Sequence, residues 1–471
     1  MPLIARQLWQ QHNCHFIQQK TRSFSVTSSQ QLKVLFFGTD EFGAKILKAL
    51  AENKRNPNPL ITELAVVCPA TRYYSKLRAN KPRVMFQAHT DILAYRYKLP
   101  VMNPPEGKSL TGWAPNGIDG KPLLGFGNKF DIGVVASFGM FLPPRIISMF
   151  PKGMINVHPS LLPQYRGPSP IQAALLNGDT STGVTIQEVH PQVMDGGRVL
   201  AQLPYKIDPR DKYIDMAHAI GRLSGSLTIQ VLENLDFVRR HAVDQDASLA
   251  TQTKLYKKVD AQIIWEQMTA TDIMRMHRAF YQKEPVHTFL RIKNKIHHVQ
   301  FMELVEPKKD PLSDDFATSD PGTAFFMKKV PYVEIKCIDG SRIHVTRFKV
   351  AGKAERDAFQ FAAGYHDRRK GMRLLSRSVD VKRPTPPFVY PPGYERPAAP
   401  ELASDGAVPE PASDGAAPEP ASDDAAPEPA SDDAAPEPAS DDAASDVETV
   451  VDPASDSESR SSSNGDGDNS K

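Results

Sequence analysis

The chain has 471 residues, with 57 Lys and Arg against 55 Asp and Glu. The near balance hides a segregation: residues 397–471 hold 20 acids and two bases, which leaves 55 bases and 35 acids in the first 396 residues. A basic body with an acidic tail points to a polyanionic partner, nucleic acid before membrane; no apolar run reaches the length of about 18 residues that a spanning helix needs, and three cysteines (Cys14, Cys68, Cys337) without a CxxC pair exclude a disulfide scaffold and a structural zinc site and fit a reducing compartment.

Residues 1–39 contain Arg6, Lys20, Arg22 and Lys33 and no acid before Asp40. An Arg-bearing, acid-free leader that ends in the Ser-rich run 23–29 has the composition of a mitochondrial transit peptide, expected over 1–30. A plain disordered terminus fits the same residues.

Lys33 to Phe37 is an apolar run closed by Gly38, and Thr39-Asp40-Glu41 opens an amphipathic stretch through Leu50. This reads as strand, tight turn and helix, with acids in the first helical turn where the dipole favours them. Leu64–Val67, Asp131–Ala136 and Gly153–Val157 are further strand candidates. Strands alternating with helices imply an α/β fold with a parallel sheet, which binds ligands beyond the carboxyl ends of its strands. The first turn is not GxGxxG, so a dinucleotide has little support. Between Cys68 and Arg83, the cations Arg72, Lys76, Arg78, Lys81 and Arg83 interleave with Tyr73 and Tyr74. That mixture suits phosphate contacts and base stacking, and equally a solvated basic loop. The Gly- and Pro-rich stretch 103–129 reads as a long loop.

The segment 153–202 carries the chemistry. Side chains at i and i+2 of a strand share a face, so Asn156 and His158 project together at a strand end that Pro159 stops. Asp195 precedes Gly196-Gly197, where two glycines let the backbone approach another group. Without Ser or Cys these three make a poor nucleophilic triad. They suit direct attack by an amine on a carbonyl, the amide and imidazolium stabilising an oxyanion while His and Asp manage the nitrogen's protons. From spacing alone a turn Asn, a structural His and a turn-shaping Asp fit as well.

Asn156-Val157-His158-Pro159-Ser160-Leu161-Leu162-Pro163 followed by Asp195-Gly196-Gly197 resembles the signature of the folate-dependent formyltransferases. The resemblance covers most of 32–375. It implies that a formyl group carried on N10 of tetrahydrofolate passes to an amine, with 10-formyltetrahydrofolate as co-substrate and no metal. Tyr165 to Gln172 resembles the branch whose acceptor is an aminoacylated initiator tRNA, and lacks the His-rich turn of the glycinamide ribonucleotide branch. Asp131–Pro143 is similar to the strand and folate loop of the tRNA-acceptor branch. By this resemblance Asn156 and His158 hold the formyl oxygen, Asp195 pairs with His158, and the backbone of Ser137, Phe138, Gly139 and Met140 meets the pterin edge. Gly38 and Thr39 open a turn near the cleft, with Asp40 standing where the family carries Pro. The loop holding Arg72, Lys76, Arg78, Lys81 and Arg83 corresponds to one that meets the tRNA acceptor end, although it lacks that loop's glycines.

From about Lys254 a second unit begins. Ala270–Tyr281 reads as a helix, and the runs 288–292, 298–304, 333–338 and 343–350 as strands of a small barrel, OB-like by resemblance and suited to nucleic acid. Lys293, Lys295, Lys328, Lys329, Lys336, Arg342, Arg347 and Lys349 supply its positive charge. From Pro400 a nine-residue unit recurs at Pro409, Pro418, Pro427 and Pro436, without large apolar residues to offset chain entropy. It is expected to be disordered, either a neutral tail or an acidic arm that competes with the anionic partner.

The expected organisation is therefore a leader (1–30), a Rossmann-like formyltransferase domain with a parallel-rich sheet (31–240), an OB-like tRNA-binding domain (254–376) and a disordered acidic tail (382–471). The resemblance implies formylation of the α-amine of initiator methionyl-tRNA in the mitochondrial matrix, by a monomer without a membrane partner. A 10-formyltetrahydrofolate hydrolase module and a non-catalytic RNA-binding protein are the alternatives.

Overall fold

Leu32, Val34, Leu35, Phe36 and Phe37 are almost wholly buried, because the strand they form lies in the middle of a sheet covered on both faces. The computed structural model describes residues 31–73, 84–107, 109–117, 129–281, 284–292, 295–305, 307, 314–326, 330–365 and 372–376. The leader, the repeat tail and the tip 74–83 of the basic loop lie outside the described residues.

In chain order the first part comprises β1 (Leu32–Gly38), α1 (Glu41–Lys54), β2 (Ile61–Val67), the hairpin β3 (Arg72–Tyr73) and β4 (Val84–Phe86), α2 (His89–Tyr97) and β5 (Val101–Met102). There follow β6 (Ile132–Ala136), α3 (Pro144–Ile147), β7 (Met154–His158), α4 (Pro170–Asn177), β8 (Ser181–Glu188), β9 (Val199–Lys206), α5 (Tyr213–Glu233) and α6 (Leu235–Arg240). Seven strands form one sheet in the order β5-β2-β1-β6-β7-β8-β9, parallel as far as β7 and antiparallel from β7 to β9. The Rossmann-like, parallel-rich expectation holds, and the antiparallel edge is an addition to it. Period-2 geometry separates the layers. Leu32, Val34 and Phe36 face one apolar cluster with Phe42, Ile46 and Ile220, while Leu35 and Phe37 face another with Phe138, Leu142 and Phe150.

Asp40 has a local explanation. Its carboxylate accepts from Gly43 N at 3.0 Å, capping α1, and Glu41 follows in the first turn. The departure from Pro thus exchanges a preset backbone angle for a capping side chain.

The second part is a barrel. After α7 (Ala270–Phe280), capped reciprocally by Thr269 and Asp272, come β10 (His287–Ile292), β11 (Lys295–Val305), α8 (Asp314–Thr318), β12 (Thr323–Phe326), β13 (Val333–Lys336), β14 (Arg342–Val350), β15 (Glu355–Asp357), α9 (Ala358–Tyr365) and β16 (Met372–Leu375). The order is β11-β10-β16-β12-β13-β14-β15, and β11 pairs with β14 to close six antiparallel strands. Trp265, Phe301, Phe348 and Phe361 fill the interior. α7 packs on α4, joining barrel to sheet. No helix of the described residues is long and apolar enough to cross a membrane.

The barrel corrects the sequence reading of its cations. Lys336 is buried, its Nζ donating to Ala317 O (2.6 Å) and Ser319 O (2.7 Å). Arg342 is paired with Glu334 at 2.8 Å, where His344 Nε2 also lies at 3.0 Å. Burial works to raise the Glu334 carboxyl, but hydrogen bonding to His344 and the charge of Arg342 hold it below its ordinary value. Arg347 pairs with Glu355. A buried cation has to be matched inside the protein, so Lys336 and the largely buried Arg342 serve the barrel, whereas Arg347 is exposed and makes its ion pair at the surface. Lys295 and Lys349 are exposed, and Lys293, Lys328 and Lys329 lie outside the described residues.

His277 in α7 is 2 % exposed, and neither ring nitrogen meets a hydrogen-bond partner among the described residues. Burial, helped by the charge of Lys212, pushes its pKa down to about 4. Between the ordinary value near 6.5 and about 4 the unfolded chain binds a proton that the folded one does not, so stability rises with pH across that window and is lost on acidification. The loss from this group amounts to roughly 3 kcal/mol by pH 4. Unfolding measured over a pH series should show a shallower acid slope, by about one proton, in His277→Gln.

Candidate active site

β7 delivers Asn156 and His158 to one face, while the alternate residues Ile155 and Val157 anchor the strand in the core beneath α1 and α5. Beyond Pro159 the chain folds back over the strand end. Ser160 Oγ donates to Gln164 O (2.7 Å), Thr185 Oγ1 to Ser160 O (2.7 Å), and the amide of Tyr165, in a left-handed conformation (φ 59°), donates to Thr251 Oγ1 (2.7 Å). This return places Tyr165 O 2.9 Å from His158 Nε2. A carbonyl only accepts, so Nε2 carries the proton and Nδ1 faces Asp195 Oδ1 at 3.6 Å.

Asp195 lies between β8 and β9 in a left-handed conformation (φ 52°). Its carboxylate accepts from Asn156 Nδ2 (2.9 Å), Gly167 N (2.8 Å) and Gln187 Nε2 (3.2 Å). The three residues expected to converge do so, with one adjustment: the hydrogen bond runs from Asn156 to Asp195, and His158 stands at ion-pair distance. Two glycines make the approach possible. A Cβ on Gly167 (φ 110°) would lie 2.8 Å from Thr253 O, and one on Gly197 1.7 Å from Glu188 O.

Polar groups that sequence reasoning did not single out lie beneath Asp195. Gln187 Oε1 accepts from Gly197 N (3.1 Å) and from Gln245 Nε2 (3.0 Å). Gln245 also donates to Asp195 O and Gly197 O, both at 2.8 Å, and accepts from Arg166 Nε (3.0 Å) and Nη2 (2.7 Å). Arg166 is 7 % exposed; burial pulls its guanidinium below the ordinary value, and the charge of Asp195 offsets part of that. The only sequence signal was Arg166 within the family run; Gln245 sits 50 residues beyond Asp195.

The turn Ser137–Met140 follows β6, the parallel neighbour of β7. Ser137 (φ 50°) and Gly139 (φ 78°) turn the main chain outward, and a Cβ on Gly139 would meet nothing within 4 Å. The Phe138 ring belongs to the core, edge-on to Phe37 at 5.4 Å, and its carbonyl accepts from Thr39 Oγ1 at 3.1 Å. Arg72 is exposed at the base of the β3–β4 hairpin, 3.8 Å from Glu106 Oε1. Lys76, Arg78, Lys81 and Arg83 lie outside the described residues. A cavity of about 660 Å³ beside α4 and α7 is lined by none of Asn156, His158 and Asp195; the convergence of functional groups marks the site. Cys68 and Cys337 are buried thiols whose pKa burial pushes up to about 12, unsuited to nucleophilic chemistry.

The family model described as Formyl transferase matches residues 32–232, and Formyl transferase, C-terminal domain, matches 256–366. A Homo sapiens protein, "Methionyl-tRNA formyltransferase, mitochondrial", is 32 % identical over 323 residues, 68 % of this chain and 75 % of that protein. "Methionyl-tRNA formyltransferase" of Synechococcus sp. is 29 % identical over 346 residues, 73 % of this chain and 98 % of that protein. Among solved structures, a Helicobacter canadensis N-formyltransferase in complex with folinic acid and dTDP-3-aminofucose aligns at 17 % identity and a TM-score of 0.43, covering 67 % of this chain and 99 % of that one. The two family matches and the relative at 32 % identity establish that this chain belongs to the formyl transferase family, among the methionyl-tRNA formyltransferases.

Proposed function

We propose that this enzyme moves the formyl group of 10-formyltetrahydrofolate onto the α-amine of initiator methionyl-tRNA. The observation that carries the reading is the convergence of Asn156, His158 and Asp195 at the carboxyl end of β7, in a chain of this family. The acceptor chemistry suits such a site. Esterification to tRNA removes the carboxylate beside the amine, which is then more readily neutral and nucleophilic.

Each residue has a part. Asn156 spends one amide N–H on Asp195 and directs the other at the formyl oxygen, which becomes anionic as the amine nitrogen attacks the formyl carbon. Since Nε2–H is committed to Tyr165 O, Nδ1 of the neutral His158 ring is the base that takes the proton from the attacking nitrogen. The imidazolium so formed stands 3.6 Å from Asp195. The proton then passes to N10 of the folate as the old carbon–nitrogen bond breaks. The outward turn Ser137–Met140 fits a flat heterocycle read at its edge by main-chain groups. No metal takes part in this scheme.

The domain limits proposed are 31–240 for catalysis and 254–376 for tRNA binding. The acid-free leader and the mitochondrial relatives support a site of action in the mitochondrial matrix, and the scheme requires only a monomer. The test is direct: incubated with methionine-charged initiator tRNA and labelled formyl donor, the full chain should move label into the aminoacyl ester. Label released as formate would instead favour the hydrolase reading, and no turnover would sink both.

The basic hairpin is proposed as the acceptor-end contact, with Arg72, Lys76, Arg78, Lys81 and Arg83 supplying phosphate contacts. Replacing Arg78 and Lys81 by Ala should weaken tRNA binding and lower the slope of log K against log salt by about 1.5, because two phosphate contacts no longer release counterions. An unchanged slope in a binding titration would remove this loop from the interface.

A further inference from the structure

The loop carrying Asp195 is exposed at its tip, with Val193 44 % and Met194 56 % exposed, yet its carboxylate has to stay in register with His158. Something other than the loop's own packing must hold it. We propose that Gln245 is a positioning residue for the transfer reaction, the centre of a relay Arg166–Gln245–Gln187 that locks Asp195 opposite His158; the proposal rests on the formyl-transfer reading above.

The geometry gives each amide of the relay a single orientation. Arginine has no acceptor, so the atom of Gln245 that meets Arg166 Nε and Nη2 must be its oxygen. The NH₂ of Gln245 therefore faces Asp195 O, Gly197 O and Gln187 Oε1. Gln187 is fixed in the same way: its oxygen receives Gly197 N, so its NH₂ faces Asp195 Oδ1. Donation thus runs one way, from a buried guanidinium through two amides to the carboxylate, and a chain of this kind polarises its members in a low-dielectric setting. Gln187 is 1 % exposed and Arg166 7 %. The segment bearing Gln245 is itself tied down, Val243 and Val199 exchanging both backbone hydrogen bonds at 2.8 and 3.0 Å. One side chain from beyond α6 thereby grips the backbone on both sides of Asp195's turn and the side chain that touches its carboxylate.

Gln245→Met keeps the length of the side chain and removes every hydrogen bond. In the full chain it should lower kcat at least ten-fold while KM for methionyl-tRNA and for the folate donor stays within two-fold. An unchanged kcat, or a loss carried by KM, would overturn the proposal, since a merely structural role does not confine the loss to kcat. Should Gln245→Met fail to fold, Gln187→Met, which removes the direct donor to Asp195, is held to the same outcomes. Failure of the wild-type chain to formylate methionyl-tRNA would defeat the underlying reading, whereas an active wild type with an equally active variant would defeat the relay alone.

Discussion

His158→Ala is expected to lower formyl transfer to methionyl-tRNA by about three orders of magnitude, within the range that loss of a positioned general base costs, while tRNA affinity stays within a few-fold. The expectation follows from which nitrogen is free. Nε2 is occupied by the Tyr165 carbonyl, so the ring is held rigidly with Nδ1 presented towards Asp195. Alanine removes the base and leaves the strand in place, because Ile155 and Val157 on the opposite face anchor β7. Single-turnover transfer and equilibrium tRNA binding, measured on the same preparation, separate the two effects. Loss of both together would mean that His158 holds the structure rather than performing chemistry.

Gly197→Ala should be the most damaging substitution by a single methyl group. The added carbon would stand 1.7 Å from the Glu188 carbonyl oxygen and 2.7 Å from its carbon, both backbone atoms that no rotamer change can move. Relief requires β8 and β9 to part at the end where Glu188 N donates to Arg198 O, and Asp195 moves with the turn. A drop in kcat of about a hundred-fold is expected, comparable to the effect of misplacing a reacting group by about 1 Å, with a loss of roughly 2 kcal/mol or more from the overpacked contact. Transfer kinetics and thermal unfolding of the variant check both numbers; full activity in a folded Gly197→Ala protein would show that this turn does not position Asp195.

Much of the molecule was readable without coordinates because the signals are local. Alternation over a few residues told that Asn156 and His158 share a face, and the apolar runs at 33–37 and 131–136 became β1 and β6 within a residue or so. The pattern at Ala270–Tyr281 became α7. β8 and β9 were harder, since Thr182, Thr185 and Gln187 place polar atoms in buried positions and break the apolar signature of a strand. The barrel cations misled for the related reason that charge in a sequence carries no sign of burial: Lys336 points inward to two carbonyls rather than outward to phosphate.

The sequence by itself determined the class of chemistry and the order of the parts, through an amide and an imidazole two residues apart, an aspartate before two glycines, and an acidic repeat whose composition sets it apart from the basic body. Only the tertiary structure decided which His158 nitrogen is free, that Asp195 is hydrogen-bonded to Asn156 while facing His158, and that Arg166, Gln187 and Gln245 stand behind it. The reason is range. Strand geometry fixes side-chain direction between neighbours, whereas hydrogen bonds spanning 39, 58 and 79 positions exist only once the sheet, the return of the chain over β7 and the segment beyond α6 have packed together.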